Sequence, residues 1–195
     1  MAVDTHLDRT ACERRSFRLA LLLTGEARAA LAVLESVLAA QPDVRAIDGA
    51  HLDRLTILRT RELASARAKR SKRSRSAPAG VSELWSGTTF GDLPGQAREA
   101  WVLVRVLALP DREVARAMDC SISAARRHMQ LAEEQLGDAG GELEERLRAR
   151  ALTAEVPAVV RERRERASRR RRAEIVAVIV VLLAVTLIVL RTVLR

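Results

Sequence analysis

An apolar block near the end of the chain constrains the protein most. Residues 175–190 carry no charged side chain, and four consecutive arginines, Arg169–Arg172, stand just before them. As a helix, the wider range 173–194 would extend roughly 33 Å at about 1.5 Å per residue, which matches a bilayer core of about 30 Å. A buried core helix is the alternative, but such a helix normally keeps a polar face. The block therefore predicts a single transmembrane helix over residues 173–194.

The charges beside this block predict its orientation. Residues 161–172 hold eight arginines and two glutamates, whereas only Arg191 and Arg195 follow the block. The side rich in arginine stays in the cytoplasm, and the N-terminal stretch has no apolar segment of the kind that a signal peptide needs. We therefore expect a single-pass protein of the inner membrane with a cytoplasmic N-terminal body. The arginines also suit anionic lipid headgroups, so the anchor explains them without any nucleic acid.

The reactive side chains give no indication of an enzyme. His6, His51 and His128 are scattered, and Cys12 and Cys120 are isolated without a CxxC spacing. Metal sites in proteins need closely grouped ligands. Neither a glycine-rich phosphate loop nor a nucleophile motif occurs in the chain. We therefore expect no catalytic activity, no cofactor and no metal site.

The N-terminal part of the chain has the periodicity of helices. Thr24-Gly25 divides the first two helical segments, and Pro42 follows the second. The predicted helices span residues 7–23, 26–40 and 51–68. A basic run, "RAKRSKRSRSAPAG", follows the third helix, and we interpret residues 69–92 as a linker. Solvated charges are the favoured interpretation of this run, and a nucleic-acid contact is the alternative.

The most informative stretch is "LPGQAREAWVLVRVLALPDREVARAMDCSISAARRHMQLAEEQL", residues 93–136. Pro94 fits the first turn of a helix that ends before Pro110. Asp111 is suited to cap a short helix that runs to Met118. Asp119-Cys120 then predicts a turn, and Ser121 is suited to cap the next helix, residues 122–136.

The last of these helices has two different faces. One face carries Ile122, Ala125, Met129, Ala132 and Leu136, and the other carries Ser123, Arg126, Arg127, Gln130 and Glu134. Two short helices joined by a tight turn, with Ala115 small enough for a close crossing, indicate a helix-turn-helix. Arginine, glutamine and serine are side chains that contact bases and phosphates. The candidate DNA-binding residues are Ser121, Ser123, Arg126, Arg127 and Gln130. An ordinary helical hairpin with solvated arginines is the alternative.

Residues 93–136 resemble the region 4 domain of extracytoplasmic-function sigma factors of bacterial RNA polymerase, without a gap. The resemblance rests on Leu93-Pro94, Arg98, Val114-Ala115, Ser121 and the spacing to Ala132 and Leu136. More faintly, "LALLLTGEARAALAVLESVL" and "HLDRLTILRTRELASARAKRSKR" are similar to region 2 of the same family. The resemblance implies that the second domain binds the minus-thirty-five promoter element. It further implies core RNA polymerase as a partner and allows an anti-sigma protein as another.

Several positions depart from the family pattern. Leu31-Ala32 and Glu35-Ser36 stand where the family carries acidic and Gln-Glu pairs that grip the polymerase. The third helix has no aromatic residue, although aromatic rings usually hold an opened strand by stacking. His128, Leu131 and Glu133 stand where the family is commonly basic, which predicts weaker phosphate binding and a weaker salt dependence. Asp119 replaces a frequent glycine, and aspartate tolerates the left-handed conformation.

The sequence as a whole predicts an all-α protein with two small helical domains and a transmembrane helix. The first domain covers residues 1–68, the linker 69–92, the helix-turn-helix domain 93–137, a connector with the basic run 138–172, and the membrane helix 173–194. Gly140-Gly141 is expected to break the chain before a solvated helix at 142–152. The expected function is a membrane-anchored, sigma-factor-like transcription regulator. The alternatives are a tethered DNA-binding regulator, or a tail-anchored interaction protein, that does not engage polymerase.

Overall fold

The computed structural model describes residues 9–41, 48–73, 85 and 89–157. These residues form helices and no strand, which confirms the predicted all-α class for this part of the chain. The helices are α1 (Arg9–Thr24), α2 (Ala27–Ala40), α3 (Gly49–Arg73), α4 (Gly95–Trp101), α5 (Asp111–Met118), α6 (Ile122–Leu136) and α7 (Ala139–Thr153). A short 3-10 helix, Thr89–Asp92, precedes α4, and a π-helical segment, Val102–Val106, follows it.

The described residues up to Glu155 belong to one compact unit. Within the described residues, no helix is both long enough and apolar enough to cross a membrane. The predicted membrane helix at 173–194 and its basic flank at 161–172 lie outside the described residues.

The first three helices pack against one another around leucine and valine side chains. Leu19 and Leu22 of α1, Leu34 and Val37 of α2 and Leu52 of α3 are completely buried. Each such side chain contributes roughly 1.5–3 kcal/mol by leaving water. Apolar residues at helical spacing give each of the three helices an apolar face, and the helices bury these faces against one another.

Helices from both halves of the compact unit share one hydrophobic core. Leu19 and Leu22 of α1 and Ile57 of α3 belong to the same buried cluster as Trp101 and Leu103. The first helix of the helix-turn-helix, α5, packs against α3. The helices predicted for two separate domains therefore meet within a single core in the described structure.

An aromatic cluster stands where the linker was expected to end. The rings of Trp85 and Phe90 meet edge to face with centroids 5.7 Å apart, and those of Phe90 and Trp101 do so at 5.4 Å. The guanidinium of Arg98 lies 4.4 Å from the Trp85 ring centroid. Its Nε and Nη2 donate to the carbonyl oxygens of Phe90, at 3.2 Å, and Gly91, at 2.7 Å. The cation thus fixes the 3-10 turn against the core.

Three local expectations are wrong. Helix α3 continues to Arg73, and residues 89–92 are helical, so the predicted linker at 69–92 is structured at both of its ends. Helix α7 begins at Ala139 and runs through the two glycines that were expected to break the chain. Its Leu143, Leu147 and Ala151 are buried, so this helix is not simply a solvated connector. Tertiary packing here outweighs the low helix propensity of glycine.

Candidate nucleic-acid interface

Helices α5 and α6 meet through a tight turn, as the sequence predicts. Asp119 adopts the left-handed conformation with φ 58° and ψ 48°. The amide of Cys120 donates to the carbonyl oxygen of Ala115 at 3.0 Å, which closes the end of α5. Ala115 itself is buried, consistent with its predicted role in a close helix crossing. The turn is therefore set by a residue type that tolerates positive φ and by a small residue beneath it.

Ser121 caps α6, in agreement with its predicted role. Its Oγ accepts a hydrogen bond from the amide of Ala124 at 3.2 Å, and its backbone is extended, with φ −74° and ψ 155°. The same Oγ lies 3.0 Å from the Oγ of Ser123. This arrangement fixes the start of α6 and leaves both hydroxyl groups at the exposed first turn.

The five candidate DNA-binding residues lie together on the solvent-exposed side of α6. All of them are exposed: Ser121, Ser123, Arg126, Arg127 and Gln130. Ala125, Ala132 and Leu136 are buried on the opposite side, as expected, and Met129 is half-buried. Ile122 is 41% exposed, so its predicted place on the buried face is wrong. Ser121, Ile122 and Ser123, at the start of α6, are thus all exposed to solvent.

Two of the exposed polar side chains are held by carboxylates. Arg126 Nε donates to Asp111 Oδ2 at 2.6 Å, and Gln130 Nε2 donates to Glu134 Oε1 at 3.0 Å. Asp111 was expected to cap α5, but the N-cap is Pro110, and no side-chain cap bond is made there. Within the described ranges, the guanidinium of Arg127 has no hydrogen-bond or carboxylate partner. The exposed face thus contains one arginine that is held in place and one that is not.

Of the three side chains that were expected to weaken phosphate binding, only Glu133 is exposed. His128 and Leu131 are half-buried and line a cleft of about 380 Å³. The other cleft residues come from α3 and from the start of the α4 region: Arg61, Pro94, Gly95, Gln96 and Glu99. Glu133 pairs with Arg105 of the π-helical segment. These three side chains therefore add little to the charge of the candidate interface itself.

Sequence reasoning missed two ion pairs that organise the neighbourhood of the interface. Arg61 of α3 binds the buried Glu99 of α4 through two hydrogen bonds, at 2.9 and 2.5 Å. Arg54 of α3 binds Asp119 in the helix-turn-helix turn at 2.9 Å. Both pairs join residues more than thirty positions apart, and no local periodicity indicates such partners. The only sequence signal for the first pair was Glu99 itself, an acidic residue among the buried apolar residues of α4.

No match to this chain was found among protein-family models, curated proteins or solved structures. Among the described residues, no group of three histidine, cysteine, aspartate or glutamate side chains is placed to hold a metal ion.

Proposed function

We propose that the protein is a membrane-anchored, sigma-factor-like transcription regulator that binds promoter DNA through α5 and α6. One observation carries the proposal: a capped helix exposes two serines, two arginines and a glutamine on one side, immediately after a tight interhelical turn. Recognition helices of helix-turn-helix proteins contact base edges with the residues near their N-terminus. The resemblance of residues 93–136 to sigma region 4 supports the minus-thirty-five element as the target.

The start of α6 is suited to a phosphate group. The N-terminus of a helix carries a partial positive charge and unpaired amide groups, both of which favour anions. Ser121 and Ser123 hold hydroxyl donors there, and Arg127 extends a cation from the second turn. Phosphate contacts of this kind fix the register of a protein on DNA, while contacts to base edges provide the sequence preference.

The part that would engage polymerase is the N-terminal half. On α2, Ala32 and Glu35 are exposed while Leu31 and Ser36 are half-buried, so this surface offers one carboxylate where the family carries several acidic side chains. This observation favours a second candidate, a tethered regulator that binds DNA without polymerase. A tail-anchored interaction protein that has lost DNA binding is the third. A protein of any of these three kinds would have the same fold, and the three kinds differ in their binding partners.

Polymerase binding separates the first two candidates. The full-length chain, purified in detergent, is tested for binding to core RNA polymerase and for transcription from the region upstream of its own gene. The double variant Arg126→Ala/Arg127→Ala removes two charges from the interface. Arg146→Ala/Arg150→Ala removes the same charge from exposed positions of α7 and serves as the control. Initiation that is lost only in the first variant is the expected result.

Other outcomes of this experiment overturn parts of the proposal. A chain that binds duplex DNA but not polymerase is a tethered regulator and not a sigma factor. A chain that binds neither one has kept the fold alone. The salt dependence of DNA binding is a second readout, because each lost phosphate contact reduces the slope of log K against log salt by about 0.9. The anchor is tested separately: deleting residues 173–195 is expected to release the chain from the membrane fraction.

A further inference from the structure

We infer that Asp111 is a positioning residue for Arg126, and that Arg126 so held reads a guanine in the bound promoter. The inference rests on the proposed function, because it needs α6 to lie in a major groove. It adds what the family resemblance does not give: a residue outside the recognition helix that selects a base, and the identity of that base.

The contact is short and joins two different helices. Asp111 is the first residue of α5, and its Oδ2 accepts from Arg126 Nε at 2.6 Å across fifteen positions of sequence. The side chains remain 69% exposed for Arg126 and 45% exposed for Asp111. An ion pair this exposed stabilises a fold only weakly. The pair acts instead on which N–H groups the guanidinium of Arg126 presents to a ligand.

Asp111 binds the Nε–H of Arg126, and this choice of donor determines which edge of the guanidinium remains available to a ligand. Arginine has five N–H donors in a planar fork. Since the carboxylate takes the Nε–H, the two terminal nitrogens remain for a second, parallel pair of hydrogen bonds. In the described part of the chain, neither of these nitrogens donates to another group. The outer edge of Arg126 thus presents two donors, oriented by Asp111, on the exposed side of α6.

A pair of donors selects guanine among the bases. In the major groove guanine presents two acceptors, O6 and N7, whereas adenine presents one acceptor and one donor. Thymine and cytosine present a single acceptor and a single donor, respectively. A guanidinium that is oriented before binding also loses less conformational freedom on binding. The carboxylate behind Arg126 therefore favours a base edge with two acceptors.

The neighbouring Arg127 provides the contrast. It lies on the same exposed side, and within the described residues no carboxylate holds it. A mobile cation suits a phosphate, which tolerates many approach directions. A carboxylate close to DNA repels phosphates, so Asp111 reduces the value of Arg126 as a phosphate contact. The two arginines are accordingly assigned different roles, Arg126 to a base and Arg127 to the backbone.

In the test, the full-length, detergent-purified chain selects the duplexes that it binds from a pool with a randomised 14-bp centre. The affinity of the chain is then measured for each of the four bases at every position that the selection enriches. One position is expected to prefer guanine, and Arg126→Ala is expected to abolish that preference. Asp111→Ala is expected to reduce the preference about tenfold at that position alone, a fold-change within the range of one bidentate contact. Asp111→Asn keeps an oxygen acceptor and is expected to retain most of it.

The controls separate positioning from charge and from folding. Glu145→Ala removes one negative charge from an exposed site on α7, and it is expected to leave the base preference unchanged. Thermal unfolding of the Asp111 variants checks that each one folds. If Asp111→Ala raises affinity for all sequences and leaves the guanine preference intact, Asp111 only screens charge, and the inference is wrong. Loss of the preference in Asp111→Asn also overturns it. If the wild-type chain selects no sequence at all, the proposed function fails together with the inference.

Discussion

Arg61 and Glu99 form a bidentate ion pair that joins α3 to α4. Arg61 Nε donates to Glu99 Oε1 at 2.9 Å, and Nη2 donates to Oε2 at 2.5 Å. The carboxylate is almost completely buried, whereas the arginine is 32% exposed. The pair connects α3, of the N-terminal helices, with α4, which precedes the helix-turn-helix. It therefore couples the stability of the helix-turn-helix to the packing of the N-terminal helices.

Removing one member of this pair should destabilise the protein more than removing both. Arg61→Met leaves a buried carboxylate without its cation, and we expect a loss of about 3 kcal/mol in the free energy of unfolding. The double variant Arg61→Met/Glu99→Leu buries two apolar side chains instead, and we expect it to recover most of that loss. Urea unfolding, extrapolated linearly to water, measures both quantities.

Arg59→Met on the same helix is the matched control. Arg59 pairs with the exposed Glu62 one turn away, at 2.7 Å. Such surface pairs contribute only about 0.3–0.5 kcal/mol. The single variant Glu99→Leu completes the double-mutant cycle. If the loss in Arg61→Met/Glu99→Leu equals the sum of the losses in Arg61→Met and Glu99→Leu, the pair has no coupling energy and the prediction is wrong.

A second buried pair predicts a dependence of stability on pH. Asp53 of α3 is fully buried and accepts two hydrogen bonds from Arg15 of α1, at 2.8 and 2.6 Å. Burial raises the pKa of Asp53, and the hydrogen bonds from Arg15 oppose this effect without cancelling it. The folded state thus binds the proton more tightly than the unfolded state. The stabilisation from this group is complete below the unfolded pKa and is lost as pH rises through the folded one.

The comparison that isolates this effect is wild type against Asp53→Asn, unfolded by urea between about pH 3 and pH 7. We expect the difference in unfolding free energy, wild type minus variant, to fall as pH rises across that range. A difference that instead rises with pH would mean that Arg15 outweighs burial and holds the pKa of Asp53 below its ordinary value.

The boundaries of α6 could be predicted because their causes are local. Ser121 accepts the amide of Ala124, three residues away, and the apolar residues follow the helical period. Asp111 was misread because its real partner, Arg126, lies fifteen positions along the chain on another helix. Capping preferences consider only the residues near Asp111 in sequence, and they take no account of a distant arginine that competes for its carboxylate. The same limit explains the missed pair of Arg61 and Glu99.

Helix α7 shows the opposite failure, in which a strong local signal is overridden. Gly140 and Gly141 each cost about 1 kcal/mol in a helix relative to alanine. Burial of Leu143 and Leu147 offsets that cost, because each leaves water almost completely. The sequence contains both signals, but only the fold determines whether a surface exists for the leucines to pack against. The positions of the candidate interface residues on α6 were easier to predict, because exposure needs no partner.

Two substitutions of Ser121 should separate its role as a helix cap from its proposed role in DNA binding. Ser121→Ala removes the cap, and we expect a loss of about 1 kcal/mol in unfolding free energy. Ser121→Asp keeps a capping oxygen and should retain stability, but it places a negative charge at the proposed phosphate position. Its affinity for duplex DNA is therefore expected to fall while its unfolding free energy stays near that of wild type. Chemical unfolding and fluorescence anisotropy with a labelled duplex measure the two effects.

Ser123→Ala is the control for the capping prediction, because Ser123 is exposed and does not cap α6. We expect its unfolding free energy to change by no more than about 0.5 kcal/mol. If Ser121→Asp binds DNA as tightly as wild type does, the start of α6 does not face a phosphate.

Ala108 offers a stabilising substitution. It follows the π-helical segment with φ 52°, a left-handed conformation that costs alanine about 1–2 kcal/mol. Glycine removes that strain but gives the unfolded chain more freedom, which costs about 0.4–1 kcal/mol. Ala108→Gly should therefore raise the unfolding free energy by about 0.5–1 kcal/mol. Ala32→Gly, on the exposed side of α2, should lower it by about 1 kcal/mol, and equal signs for the two variants would contradict the strain argument.

Cys120 should be a slow nucleophile in the folded protein. Burial raises the pKa of its thiol, although Arg61 opposes that shift. Only the thiolate reacts with iodoacetamide, so the pH midpoint of its alkylation should lie above that of the same thiol in the unfolded chain. Peptide-resolved mass spectrometry at several pH values measures this rate separately from that of Cys12. In urea, the midpoint for Cys120 should fall to the free-thiol value, and a folded-state midpoint below the one in urea would mean that Arg61 dominates over burial.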